Sequence, residues 1–273
     1  MLKTEMRNPK TMHVDKMSAL EIARIMNEEN MVAVEAVGQE LPAIAEAIDA
    51  ITEALRNGGH LYYMGAGSSG RLGVLDAAEC PPTFGVPHEM VVGIMAGGEA
   101  ALARASENKE DDPQAGVEDL KKYHITEKDV VVGISAAGGA AYVVHALAYA
   151  KEVGCTTVGV TSNKGSKLDE IADISICPDT GAEVVTGSTR LKAGTAQKII
   201  LNMLSTGAMI RNGYVCENLM INLKPTNVKL RRRVISIVSD LTGESPEASE
   251  ALLEAHNWNI KEVVEQHEKE AAL

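Results

Sequence analysis

The sequence predicts an α/β protein built on a parallel β-sheet with helices on both faces. Short apolar runs alternate with segments of helical spacing over residues 59–240, and several runs end at glycine or small polar residues. This alternation is typical of parallel sheets, because each strand needs a crossover helix before the next parallel strand. We therefore expect a doubly wound sheet of five strands with right-handed crossovers.

Each strand is predicted from an apolar run, and each helix from the periodic segment that follows. The predicted strands are Leu61–Met64, Met90–Met95, Asp129–Ile134, Thr156–Thr161 and Ile174–Cys177. The predicted helices between and after them are Arg71–Ala77, Ala100–Glu107, Ala140–Val153, Lys167–Ala172 and the long, largely apolar Ala193–Asn212. Helices Ala19–Val37 and Leu41–Asn57 precede the first strand, and Ser18 with Glu21 forms a capping-box pattern at their start.

The chain divides into three predicted segments. Residues 1–58 form an arm and helices that pack on the core, residues 59–240 form the sheet domain, and residues 241–273 form a small helical module. The module is predicted to begin at Ser245-Pro246, because serine caps helices and proline fits their first turn.

Composition disfavours several classes of protein. The chain has 26 basic and 38 acidic residues, and its net charge of −12 argues against general nucleic-acid binding. Its four cysteines lack the spacing of a metal clip, so we expect free thiols and no metal. The charged first 15 residues do not fit a secretory signal, and glycines interrupt the uncharged stretch 130–150. A soluble, cytoplasmic protein is expected.

Three predicted strand-to-helix turns are rich in glycine and hydroxyl groups. Ligands of open parallel sheets bind beyond the carboxyl ends of the strands, where a helix start offers free N–H groups to an anion. The turns are Gly65–Arg71, Ser135–Gly139 and Thr186–Lys192, and the candidate phosphate-binding residues are Gly67, Ser68, Ser69, Arg71, Ser135, Gly138, Ser188 and Lys192. Each turn alone also fits a structural role, as a packing turn or a helix cap. Their recurrence favours a phosphate site.

The candidate acid–base groups are glutamates. Glu79 is followed by Pro81-Pro82, which predicts an extended, stiff segment that orients its side chain, and Glu107 and Glu110 lie near the end of the helix after the second strand. A glutamate beside a phosphate pocket can act as a general acid or base when burial raises its pKa. From spacing alone, a surface charge is the simpler interpretation of each.

Long blocks of the sequence resemble one enzyme family. They are MGAGSSGRLGVLDAAECPPTFG at Met64–Gly85, TEMRNP at Thr4–Pro9, EVVTGSTRLKAGTAQK at Glu183–Lys198, LNMLSTGAMI at Leu201–Ile210 and NLM at Asn218–Met220. Through these blocks the chain resembles the N-acetylmuramic acid 6-phosphate etherases over nearly its whole length. The resemblance implies the sugar isomerase (SIS) fold, which the more distantly related glucokinase regulatory protein shares.

The resemblance also implies a reaction. A carbon–oxygen lyase of this family cleaves the lactyl ether of a sugar 6-phosphate in peptidoglycan recycling; elimination and water addition give N-acetylglucosamine 6-phosphate and lactate without a cofactor. The family's catalytic glutamates match Glu79, as the acid for lactate departure, and Glu110, as the base at C2. Phosphate is expected at Ser68, Ser69 and Ser135. A homodimer with its site near the subunit boundary is implied too.

The second turn departs from the family pattern. The family has Ala-Ser-Gly-Arg-Thr-Pro-Tyr where residues 136–142 of this chain are Ala-Ala-Gly-Gly-Ala-Ala-Tyr. The missing side chains imply a weaker phosphate clamp, since one charge-assisted hydrogen bond contributes about 1.5–3 kcal/mol. A non-catalytic sugar-phosphate sensor, like the glucokinase regulator, therefore remains an alternative. An isomerase of aminosugar phosphates on the same fold is a third.

Overall fold

The computed structural model describes residues 2–104, 109–223, 225 and 228–271. Its centre is a sheet of five parallel strands in the order β2-β1-β3-β4-β5, which confirms the predicted architecture. The strands are β1 (Leu61–Gly65), β2 (Val91–Met95), β3 (Val130–Ile134), β4 (Thr156–Val160) and β5 (Ile174–Ile176). In the register of the sheet Gly65 lies beside Ile134, so the turns after β1 and β3 leave the same edge.

Helices cover both faces of the sheet. They are α1 (Ala19–Gln39), α2 (Leu41–Arg56), α3 (Gly67–Phe84), α4 (Ala100–Ala103), α5 (Pro113–Lys121), α6 (Ala141–Val153), α7 (Lys167–Ile171) and α8 (Lys192–Arg211). Side chains of a strand alternate between faces. Tyr62 and Met64 belong to a buried cluster with residues of α5, α6 and α7. Tyr63 points the other way, where its hydroxyl donates to Asp76 on α3 and to the Leu201 carbonyl on α8.

The chain forms two compact units. The first contains residues 1–78 and 89–208, and hence the sheet. The second contains residues 79–88 and 209–273, with the hairpin β6 (Val215–Cys216) and β7 (Leu219–Met220) and the helices α9 (Val228–Thr242), α10 (Pro246–Ala255) and α11 (Ile260–Ala271). Its apolar cluster joins residues of α9, α10 and α11, including Val238, Leu253 and Val263.

Three local expectations differ from the structure. α3 continues to Phe84 through Pro81 and Pro82, so the segment after Glu79 is helical rather than extended. The prolines lie in its last turn and cannot donate hydrogen bonds to the preceding turn, while the Gly85 N–H still donates to the Pro81 carbonyl. α5 was not predicted, although Asp112 caps it and Pro113 opens it. α4 ends at Ala103; residues 105–107 of the predicted helix, with Glu107, lie outside the described residues.

The described part of the N-terminal arm contains three short 3-10 turns. These turns are Lys3–Glu5, Pro9–Thr11 and Val14–Lys16, and the side chain of Thr4 is fully buried. None of the helices that the structure describes combines the length and apolar character needed to span a bilayer.

Candidate active site

A cavity of about 320 Å³ opens where β1 and β3 end. We call it the strand-end cavity. It is lined by the turns after both strands, by the arm and by the turn before α8, all within the first unit. Its polar lining residues are Glu5, Ser68, Ser69, Glu110, Ser135 and Thr189. Residues of all three predicted phosphate turns and one predicted catalytic glutamate, Glu110, therefore line one cavity.

The first turn presents the start of α3 to this cavity. Gly67, which adopts a positive φ of 55°, begins the helix, so its first N–H groups have no carbonyl of the same helix to bond. Ser69 is buried and donates its hydroxyl to Gln197 Oε1 on α8, at 3.0 Å. Ser68 is half-buried. The start of α3 thus combines the positive end of the helix dipole with N–H donors and hydroxyl groups, and such a helix start can bind an anion such as phosphate.

The second turn is held by its own hydrogen bonds. Ser135 Oγ accepts from the Gly138 N–H at 3.2 Å. Gly138 has a φ of 72°, and a Cβ there would lie 2.1 Å from Ser166 Oγ, so only glycine fits. Ala140 occupies the N-cap of α6 and offers no capping side chain. The first N–H groups of α6 therefore lack a side-chain cap from this position.

Glu110 is positioned through its backbone. Its carbonyl accepts from the Tyr142 N–H, at 2.9 Å, in the first turn of α6. This bond fixes the segment that carries Glu110 beside the second turn. The side chain is exposed and lines the cavity, so its carboxylate is accessible to a small molecule bound there.

The arm supplies a second carboxylate, Glu5. Thr4 anchors it: Asn163 Nδ2 donates to Thr4 Oγ1 at 3.1 Å, and the Lys3 N–H donates to Asn163 Oδ1 at 2.9 Å. Glu5 and Thr189 were not among the predicted site residues. Glu5 lies in the block TEMRNP and Thr189 in the block EVVTGSTRLKAGTAQK, both of which carry the family resemblance. This resemblance is the sequence feature that could have identified them as site residues.

Lys192 lies away from the cavity lining. Its ammonium is buried and pairs with Glu29 Oε2 at 2.5 Å. Glu29 also accepts from Asn8 and Lys10 of the arm. Burial alone would raise the pKa of Glu29, but these partners outweigh it and the pKa is lowered. The side chain of Lys192 thus belongs to a buried ionic network that ties the arm to α8.

The remaining predicted residues also lie outside the cavity lining. Arg71 donates to the carbonyls of Ala101 and Leu102 at the end of α4. Gly138 shapes the second turn, and Ser188 lies between lining residues in the third. Glu79 is exposed on α3 and belongs to the second unit.

The electrostatics of the strand-end cavity are unusual for an anion site. Among the described residues that line it, two are carboxylates and none carries a positive charge. Only helix starts and hydroxyls of this lining are suited to attract an anion. In the described part of the chain, no group of His, Cys, Asp or Glu side chains is arranged to hold a metal ion.

Comparison with known domains defines the class of protein. Residues 43–151 match the glucokinase regulatory protein N-terminal SIS domain, and residues 114–207 match the SIS domain. Among solved structures, the fold resembles a phosphoheptose isomerase from Francisella tularensis (TM-score 0.56, 20% identity, covering 71% of this chain and 100% of that one). It also resembles a putative phosphosugar isomerase from Bacteroides fragilis (TM-score 0.55, 22% identity, 73% and 94%). The sheet and its strand-end turns are those of a SIS-domain protein.

Curated relatives narrow this class to one family. An N-acetylmuramic acid 6-phosphate etherase from Enterobacter sp. is 49% identical over 96% of this chain and 89% of its own length. The protein of that name from Salmonella typhi is 50% identical over the same shares. The chain belongs to the N-acetylmuramic acid 6-phosphate etherase family.

Proposed function

We propose that this protein cleaves the lactyl ether of N-acetylmuramic acid 6-phosphate, giving N-acetylglucosamine 6-phosphate and lactate. The observation that carries the proposal is the strand-end cavity, where Ser68, Ser69 and Ser135 adjoin Glu110. The names of relatives that are about half identical over 96% of the chain support the same substrate. As a carbon–oxygen lyase of sugar recycling, the protein is proposed to work as a cytoplasmic homodimer.

The proposed reaction begins with proton removal. The 6-phosphate binds at the starts of α3 and α6, and the open-chain sugar extends toward Glu110. Glu110 takes the C2 proton, which the C1 aldehyde acidifies, and the electron pair moves to expel the C3 oxygen. Glu79 donates a proton to this oxygen as lactate leaves. Water then adds at C3 of the unsaturated aldehyde and a proton returns to C2, so that the net change is hydrolysis of the ether.

The altered second turn is compatible with this chemistry. Residues 137 and 140 have lost hydroxyl groups relative to the family pattern, but their backbone N–H groups remain. Backbone donors at a helix start are themselves phosphate ligands. We therefore expect a weaker grip on phosphate with the elimination retained. The relatives' names do not favour the non-catalytic sensor, which becomes an outcome of the test.

Lactate release from N-acetylmuramic acid 6-phosphate tests the proposal directly. We expect turnover by the wild type and a loss of about 10²–10⁴-fold in Glu110→Gln and in Glu79→Gln, the usual contribution of a general acid or base. Glu152→Gln, an exposed glutamate of α6, is the matched control and should keep full turnover. Sugar-phosphate binding without any lactate release by the wild type would instead identify a sensor.

A further inference from the structure

A second cavity, of about 520 Å³, adjoins the strand-end cavity. We call it the basic cavity. It lies between α3 and α8, and its lining includes Arg71, Arg190 and Lys198 together with Leu72 and Thr195. Within the described residues, its lining has three positive side chains and no carboxylate. Such a concentration of positive charge is notable in a chain with a net charge of −12.

The linings of the two cavities share one residue and include a pair of consecutive residues. Ser68 lines both of them. Thr189 lines the strand-end cavity while the next residue, Arg190, lines the basic one. Consecutive Cα atoms are about 3.8 Å apart, so the linings of the two cavities meet at this turn as well as at Ser68.

The start of α8 does not provide the charge of the basic cavity. The N–H groups of Lys192 and Ala193 both donate to the buried carboxylate of Glu183, at 3.0 Å, which neutralises this helix end. Arg71 has its Nε and one terminal nitrogen bonded to carbonyls of α4, which holds the guanidinium in place. The side chains of Arg190 and Lys198 are exposed. A ligand there meets side-chain cations rather than the dipole of α8.

The proposed substrate carries two anionic groups, a phosphate and the carboxylate of its lactyl ether. We infer that the basic cavity binds the lactyl carboxylate while the phosphate occupies the strand-end cavity. This inference rests on the proposed function. This assignment of the two anionic groups follows from the chemistry of the two cavities. The strand-end cavity offers helix starts and hydroxyls beside two carboxylates, and the basic cavity offers cationic side chains. Arg190 and Lys198 then select the muramic acid sugar over sugar phosphates that lack the lactyl group.

Binding of two sugars that differ in the lactyl group tests the assignment. Calorimetry would use the Glu110→Gln background, to suppress turnover, with N-acetylmuramic acid 6-phosphate and N-acetylglucosamine 6-phosphate as ligands. Adding Arg190→Gln and Lys198→Gln should weaken binding of the muramic sugar by about tenfold or more, the effect of losing charge-assisted contacts. Binding of N-acetylglucosamine 6-phosphate should change by less than about threefold, as expected for charges remote from a ligand.

Controls keep the test specific. Arg24→Gln with Lys167→Gln changes the net charge equally at two exposed positions of the same unit and should leave both affinities unchanged. Lys198→Arg should preserve muramic sugar binding, which a misfolded variant would not do. Equal weakening of the affinity for both sugars would overturn the inference, because the cations would then bind the phosphate that both sugars carry. Unchanged affinity for both sugars would also overturn it. Lactate release by the wild type is measured separately, so a failure of the proposed function can be distinguished from a failure of the inference about the basic cavity.

Discussion

Replacing Lys192 by methionine separates a structural role for this residue from the phosphate-binding role that its sequence context predicts. The substitution keeps most of the aliphatic side chain and removes the ammonium group. Glu29 would then keep Asn8 and Lys10 as partners but lose the buried cation that contacts its Oε2. We expect a large loss of stability, because a buried carboxylate would be left partly uncompensated.

The expected magnitude follows from burial. The side chains of Lys192 and Glu29 are only 4% and 3% exposed. Removing one partner of a buried pair typically costs about 3–5 kcal/mol. Lys10 is mostly exposed and still faces Glu29, so the lower end, about 3 kcal/mol, is expected. For a domain of about 150–250 residues this corresponds to a fall in Tm of roughly 6–12 °C.

Thermal unfolding followed by circular dichroism measures this effect. Lys167→Met, at an exposed position of α7, is the matched control and should change stability by less than about 0.5 kcal/mol. Adding Glu29→Gln to Lys192→Met removes the orphaned charge, so the double variant should recover part of the loss. An unchanged Tm for Lys192→Met, accompanied by weaker sugar-phosphate binding, would refute the structural assignment and restore Lys192 as a phosphate ligand.

Three further expectations concern the site and its support. Ala140→Thr places a capping hydroxyl at the start of α6. It should raise the free energy of unfolding by about 1 kcal/mol in urea titrations and tighten phosphate binding. Unchanged stability and binding would mean that the hydroxyl points elsewhere. Gly138→Ala should abolish sugar-phosphate binding in calorimetry, because its Cβ would meet Ser166 at 2.1 Å; normal binding would show that the second turn tolerates rearrangement. The lowered pKa of Glu29 stabilises the fold above the pKa of about 4.3 that it has when unfolded, and this contribution is lost as pH falls through the lower folded value. The stability advantage of the wild type over Glu29→Gln should therefore shrink below about pH 4; an advantage independent of pH would contradict this source of stability.

The sheet was predictable because its signal is local. Each strand is a short apolar run bounded by polar or glycine residues, and all five predicted runs contain the observed strands or end within one residue of them. The end of α3 and the existence of α5 were harder to predict. Pro81-Pro82 predicts an extended segment after Glu79, whereas α3 continues through both prolines and lacks the two N–H groups that proline does not have. The Asp112-Pro113 start of α5 was present in the sequence but its helix is short.

The candidate site was predictable only in part, since its composition depends on contacts between distant residues. Ser68 and Ser135 could be paired because parallel strands end at one edge. Nothing local shows that Lys192 turns inward to Glu29, 163 positions earlier, or that the arm delivers Glu5 to the same cavity. The three-segment division of the chain stays a prediction, and so do the catalytic roles of Glu79 and Glu110.

Several hydrogen bonds of the arm join it to residues translated much later. Asn163 binds Thr4, the Ala182 carbonyl accepts from Asn8, and the Val184 carbonyl accepts from Thr11, across 159 to 174 positions. At about 5–20 residues per second, a ribosome needs roughly 8–35 s to produce these partners after the arm. Until then, among the partners named for the arm, only Glu29 on α1 is present to hold it. The strand-end cavity, which Glu5 of the arm lines, is therefore among the last parts of the first unit to form during synthesis, and slow decoding between the arm and residue 184 would delay its completion.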